Sequence, residues 1–115
     1  MSNSKRWLLT ISGGADSDLQ TMRAGVDLAL AAGAFGQDVT LVFSGAALQL
    51  LSATPTHEEA LYRLLGSLPY YDIERVFALG HPADNRTYRD DLTIAPLTPR
   101  EWSDKVSNAD IAVNY

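Results

Sequence analysis

The 115-residue sequence contains no cysteine, and that absence removes disulfide bonds, thiolate metal sites and any reaction that carries a group on the chain's own sulfur. Histidine is scarce: only His57 and His81 occur, neither with acidic or imidazole neighbours at metal-ligand spacing, so no metal is expected. Basic residues are outnumbered, nine Lys and Arg against 14 Asp and Glu. The resulting net charge of −5 opposes the cationic surface that a phosphate backbone selects, and direct nucleic-acid binding is not expected. Long apolar runs are missing too, and none approaches the roughly 18 residues of a membrane span. The opening residues 1–6 pass straight into a short apolar run without the longer hydrophobic region of a signal peptide, which predicts a soluble cytoplasmic protein.

What is present is an ordinary globular balance, 46% hydrophobic and 20% charged, in a length suited to one domain over residues 1–115. Trp7–Ile11 is a short apolar run before a Gly-Gly turn, the pattern of a buried strand entering a loop and then a helix. Ser17 and Gln20 can form a capping box, after which Leu19, Met22, Val26, Leu30 and Gly33 recur at helical spacing. Val39–Phe43 is β-branched and apolar on both faces, as a central parallel strand covered by helices on each side would be. The segment Gly45–Leu51 predicts a helical turn or two at the end of that strand.

Thr56 with Glu59 offers a second capping box, Leu61, Leu64, Leu65 and Leu68 form one helical stripe, and Pro69 is expected to end that helix. Val76–Leu79 and Leu92–Ile94 read as the next two strands, separated by a long polar stretch from Gly80 to Asp91. Thr98-Pro99-Arg100-Glu101 combines an N-cap, a proline in the first turn and an N3 glutamate, which predicts a helix carrying Trp102, Val106 and Ala109. Ile111–Tyr115 closes the chain as a strand. Strands alternating with helices predict a three-layer α/β fold with about five mostly parallel strands and helices on both faces.

Candidate chemistry is sparse, and no catalytic residue is assigned. Ser12-Gly-Gly-Ala-Asp-Ser17 stands between a strand and a helix start, where Gly13, Gly14 and Ser17 would let backbone N–H groups approach a phosphate. Its letters resemble the SGGxDS loop of PP-loop ATP pyrophosphatases, but nothing downstream resembles their other motifs, and a plain turn with helix-capping residues is the favoured reading. His81 follows the third strand at the edge where open α/β folds bind ligands, though a solvated loop histidine is the simpler account. Asp90 and Asp91 are expected to point apart into water and receive no chemistry. Tyr70 and Tyr71, and Leu48, Gln49 and Leu51, are candidate partner-facing residues, with core packing as the competing reading for the apolar ones.

Several stretches taken together resemble the TusC/DsrF branch of the DsrE-like superfamily. They are Arg23–Asp27, Val42–Leu51, Leu64–Gly66 with Tyr71–Glu74, and the ending Asn108–Val113. The resemblance implies a flavodoxin-like fold, no cofactor, and assembly with TusD/DsrE-like and TusB/DsrH-like chains as a heterohexamer, or a homo-oligomer if the protein stands alone. In that family the TusD-like chain holds a persulfide on a cysteine after its third strand, and the sulfur ends in tRNA 2-thiouridine or serves sulfur oxidation. The corresponding stretch here is Val76–His81, without a cysteine, which implies a structural rather than a sulfur-carrying role and makes His81 a further candidate contact.

Overall fold

A computed structural model describes residues 5–12, 19–53, 59–80 and 88–115. Five strands, β1 (Arg6–Ile11), β2 (Asp38–Phe43), β3 (Arg75–Leu79), β4 (Ile94–Leu97) and β5 (Ile111–Asn114), form one sheet in the order β4-β3-β2-β1-β5. Every pairing is parallel, with Leu9 opposite Leu41, Leu41 opposite Val76, and Trp7 opposite Ile111 fixing the register. Helix α1 (Leu19–Ala34) joins β1 to β2. A 3-10 helix (Gly45–Leu51), helix α2 (Glu59–Leu65) and a second 3-10 helix (Leu68–Tyr71) lead from β2 to β3. Helix α3 (Pro99–Asn108) joins β4 to β5. The expected three-layer, flavodoxin-like α/β architecture is therefore the one observed.

Alternation along the strands divides the apolar residues between two faces. Leu9, Ile11, Leu41, Phe43, Val76 and Ala78 point to one face and form the main core with Val26 and Ala29 of α1 and with Leu51, Leu61, Leu65 and Leu68. Leu8, Val42 and Leu97 point to the other, where half-buried Phe77, Leu79, Trp102 and Val106 join them. Successive connections from β1 to β3 step the same way across the sheet on the first face. The return from β4 to β5 runs along the second, as the single hand of parallel crossovers requires. Gly33 brings the second 3-10 helix against α1: a Cβ there would stand 2.7 Å from the Tyr71 carbonyl oxygen, too close for any side chain.

Two expectations are corrected. Leu92 is not in a strand but is buried in the main core, and β4 runs from Ile94 to Leu97 instead. Pro96 disguised this strand, and the sheet tolerates it because β4 is an edge: the Leu97 carbonyl accepts from Gly80 N–H, so Pro96, one residue earlier, turns its missing donor to the open side. Pro69 does not end α2. That helix stops at Leu65, and Leu68 and Pro69 begin the second 3-10 helix, where a proline in the first turn forfeits no hydrogen bond. The capping box at Thr98 and Glu101 forms as expected, with Thr98 Oγ1 accepting from Glu101 N–H at 3.1 Å and Glu101 Oε1 accepting from Thr98 N–H at 2.9 Å. Those hydrogen bonds to the Thr98 backbone and side chain hold the Glu101 carboxyl below its ordinary pKa. Ser17 and Thr56, the other expected caps, lie outside the described residues.

Candidate functional site: the carboxyl edge of the sheet

Ligands of open parallel sheets bind beyond the carboxyl ends of the strands, where neighbouring connections leave toward opposite faces. Here the connections from β1 and β2 run on the first face and that from β4 on the second, while residues 81–87 after β3 lie outside the described residues. After β3 the chain reappears at Tyr88 and Arg89 on the first face, where Ser52 and Tyr88 form an antiparallel bridge and Arg89 N–H donates to Leu51 O at 2.9 Å. After β4 it turns into α3 on the second face. Gly80, whose φ of 69° is the left-handed conformation glycine adopts at low cost, ends β3 with its N–H donated to Leu97 O at 3.1 Å, and Thr98 at the head of α3 follows β4.

At this edge the ends of β1 and β2 are tied together. Ser12 and Ser44, both half-buried, share a hydroxyl–hydroxyl hydrogen bond of 3.2 Å, and Ser44 N–H donates to Ile11 O at 3.0 Å. Gly45 combines φ 56° with a backbone approach that would set a Cβ 2.7 Å from Ser12 O. Only glycine meets both demands, and the result is a closed junction in which Ala47 N–H also donates to Ser12 O. On the second face, Trp102 Nε1–H donates to Oγ1 of the buried Thr10 at 2.9 Å, which fixes α3 over β1.

A third cluster locks the first-face wall. Arg89 is 5% exposed and spreads its guanidinium over the ring of Tyr62 at 3.8 Å. Its Nε and Nη2 donate to the two oxygens of Asp91 at 2.6 and 2.7 Å, and Nη1 donates to Leu50 O at 3.2 Å. Tyr62 in turn donates to Ser52 O at 2.7 Å. The Arg89 hydrogen bonds outweigh the desolvation of Asp91 and hold its carboxyl below the ordinary aspartate pKa. One arginine therefore joins the Gly45–Leu51 helix, α2 and the segment leading to β4. Sequence reasoning missed it because an arginine among aspartates reads as a solvated charge; the only available signal was its place between Tyr88 and the Asp90-Asp91 pair.

The residues expected to face partners separate on inspection. Tyr70 is 87% exposed and Tyr71 39%, and Gln49 is exposed, so all three are accessible. Leu48 is half-buried against the main core. Leu51 is 0% exposed, so its side chain belongs to the core and is withdrawn from the partner-facing set: the end of the 3-10 helix turns inward under the Arg89 lid. Gly13, Gly14, Ser17, His57 and His81 all lie outside the described residues. Asp90 is exposed and Asp91 is engaged by Arg89, so the two carboxylates do not converge on one point.

Chemically, the described part of this edge offers hydroxyls, backbone groups and glycine turns, with no imidazole or thiol beside them. Among the described residues no group of three or more metal-ligating side chains comes together, and no helix is long and apolar enough to cross a membrane. The class so defined is a three-layer α/β domain whose carboxyl edge, among the described residues, carries hydroxyls but no thiol or imidazole. A protein-family model, the DsrE/DsrF-like family, matches residues 6–115, and the chain belongs to that family. No curated protein matches it.

Proposed function

We propose that this chain is a noncatalytic structural subunit of a sulfur-relay complex of the TusBCD or DsrEFH type, occupying the TusC/DsrF position in the cytoplasm. The observation that carries the reading is the conjunction of DsrE/DsrF-like membership over residues 6–115 with a sequence that holds no cysteine. Persulfide chemistry needs a thiolate to accept and release the sulfur, so the transfer belongs to a cysteine-bearing neighbour of TusD/DsrE type. A TusB/DsrH-like chain completes the assembly, which serves tRNA 2-thiouridine formation or sulfur oxidation. The locked carboxyl edge supports a part in shaping a neighbour's pocket, because a rigid wall contributes to a site without supplying a reacting atom.

Affinity capture of the tagged chain from its source cells, with mass spectrometry of the co-purifying proteins, tests this. A cysteine-bearing DsrE-like chain is expected among them, and radiolabelled sulfur supplied to the complex is expected on that chain and not on this one. If the protein is recovered without such a partner, and calorimetry shows magnesium-ATP binding that Gly13→Val weakens, the subunit reading gives way to a nucleotide-binding domain using Ser12–Ser17.

A further inference from the structure

The connection from β4 to β5 is built unlike the others. These strands are opposite edges of the sheet, and β4 ends at the carboxyl edge while β5 begins at the amino edge, so residues 98–110 cross the second face diagonally, roughly 25 Å by strand spacing and rise. Among the described residues α3 is the only helix on that face. Helix α1 buries Val26, Ala29 and Ala32 and helix α2 buries Leu61 and Leu65, but α3 buries no residue completely, and its Trp102 and Val106 are half-covered.

What holds α3 is a short series of point attachments. Thr98 and Glu101 close its first turn, Trp102 Nε1–H donates to Thr10 Oγ1 at 2.9 Å, Lys105 Nζ stands 4.6 Å over the Phe77 ring, and beyond its end Asp110 Oδ2 accepts from Arg6 N–H at 2.8 Å. The bonds at the two ends are exposed, and the one in the middle ends on the buried Thr10. Beneath the helix lie Leu8, Val42 and Leu97, the buried part of the second-face cluster. Few buried apolar contacts and exposed hydrogen bonds mark a segment that opens below the free energy of global unfolding. Its anchors need not move: residues 98–110, unwound, reach roughly 40 Å, more than the diagonal they span, so β4 and β5 keep their pairing with β3 and β1 when the helix melts.

We propose that α3 is a strap that opens as one unit while the sheet and the first-face core stay folded, uncovering an apolar surface of Leu8, Val42 and Leu97 flanked by Phe77 and Leu79. Opening breaks the Trp102–Thr10 bond and the other α3 contacts and nothing on the first face, so Arg89, Asp91 and the main core are the same before and after. The two faces therefore respond to different substitutions. A change that weakens the first face lowers global stability without altering the opening of α3, whereas loss of the Trp102–Thr10 bond favours both. Such opening follows from the packing alone and is independent of the sulfur-relay reading.

The absence of native cysteine allows a single thiol to report the opening. Val42, beneath α3, and Val26, in the main core, are both fully buried, and cysteine is a small apolar replacement for either. Under a thiol reagent, Val42→Cys is expected to react at a rate that low urea leaves unchanged and at least tenfold faster than Val26→Cys, whose rate climbs with urea from the start because global unfolding is what exposes it. Hydrogen exchange of the full chain needs no cysteine. The Trp102–Asn108 amides are expected to exchange together, about tenfold faster in Thr10→Val and at an unchanged rate in Asp91→Asn, which speeds the α1 amides of Val26 and Ala29 tenfold or more. Equal urea dependence at the two thiols, or α3 amides that accelerate with those of α1 in Asp91→Asn, would overturn the proposal. So would α3 amides that exchange one by one while Val42→Cys stays protected, because that is fraying of the helix ends and not opening of the strap.

Discussion

Asp91→Asn is the sharpest probe of how the first-face layer is held. The Arg89 side chain is 3% exposed and Asp91 46%, so the arginine cannot return to water while the aspartate can. The substitution keeps the shape but removes the negative charge, replaces one acceptor by an NH₂ group aimed at another donor, and leaves the guanidinium with Leu50 O and the Tyr62 ring as its compensation. Losing a charge-assisted hydrogen bond to a buried cation costs more than a neutral one, and the half-exposed partner discounts it, for a net of about 2 kcal/mol. In a domain of this size that lowers the midpoint of thermal unfolding by roughly 8 °C. The reverse change, Arg89→Met, leaves an aspartate free to hydrate and is expected to cost no more than Asp91→Asn. Because the Asp91 carboxyl is held below its ordinary pKa, the pair's contribution is full above the unfolded-state value near 4 and is lost as pH falls through the lower folded-state value. The difference between native protein and Asp91→Asn should therefore be constant from neutrality down to about pH 5 and close in more acidic solution. Urea unfolding followed by circular dichroism across that range measures it. A loss below about 0.5 kcal/mol, or a gap that persists into strong acid, would refute the locking role of Arg89.

Gly45→Ala should destabilise by about 2–3 kcal/mol in chemical denaturation, since it combines a positive φ with a Cβ 2.7 Å from Ser12 O; a neutral result would mean that the β1–β2 junction is free to move. Thr98→Ala removes the side-chain half of the capping box and should cost about 1 kcal/mol, with faster amide exchange at Glu101 as the local readout. Thr10→Val is nearly isosteric but leaves the Trp102 indole N–H without its acceptor, for a loss of about 1–2 kcal/mol and a change in tryptophan fluorescence.

Much of the fold was legible because its strands are short apolar runs bounded by turn residues and its third helix announces itself through Thr98, Pro99 and Glu101. Trp7–Ile11, Val39–Phe43 and Val76–Leu79 each lie within an observed strand. The failures arose where tertiary position overrode a local rule. Pro96 argues against a strand until the strand is known to be an edge, and Leu68 continues a helical stripe in sequence although Gly66 and Ser67 have already turned the chain. The site was less legible because its parts are distant in sequence. Ser12 meets Ser44, Thr10 meets Trp102, and Arg89 meets Leu50 and Tyr62, and no periodicity or spacing signals such pairs. Leu51 shows the converse: apolar content marks a residue as sticky without saying whether it sticks to the core or to a partner.

The layers on the two faces of the sheet are held by different physics. The first-face wall rests on a large buried core and on Arg89, whose displacement would strand a charge away from water. The second-face wall is α3, a helix with no fully buried residue, fastened by its capping box, by half-buried Trp102 and Val106, by the Trp102–Thr10 hydrogen bond, and by Lys105 set 4.6 Å over the Phe77 ring. Local opening costs least where few apolar groups are buried, so the second wall yields before the first.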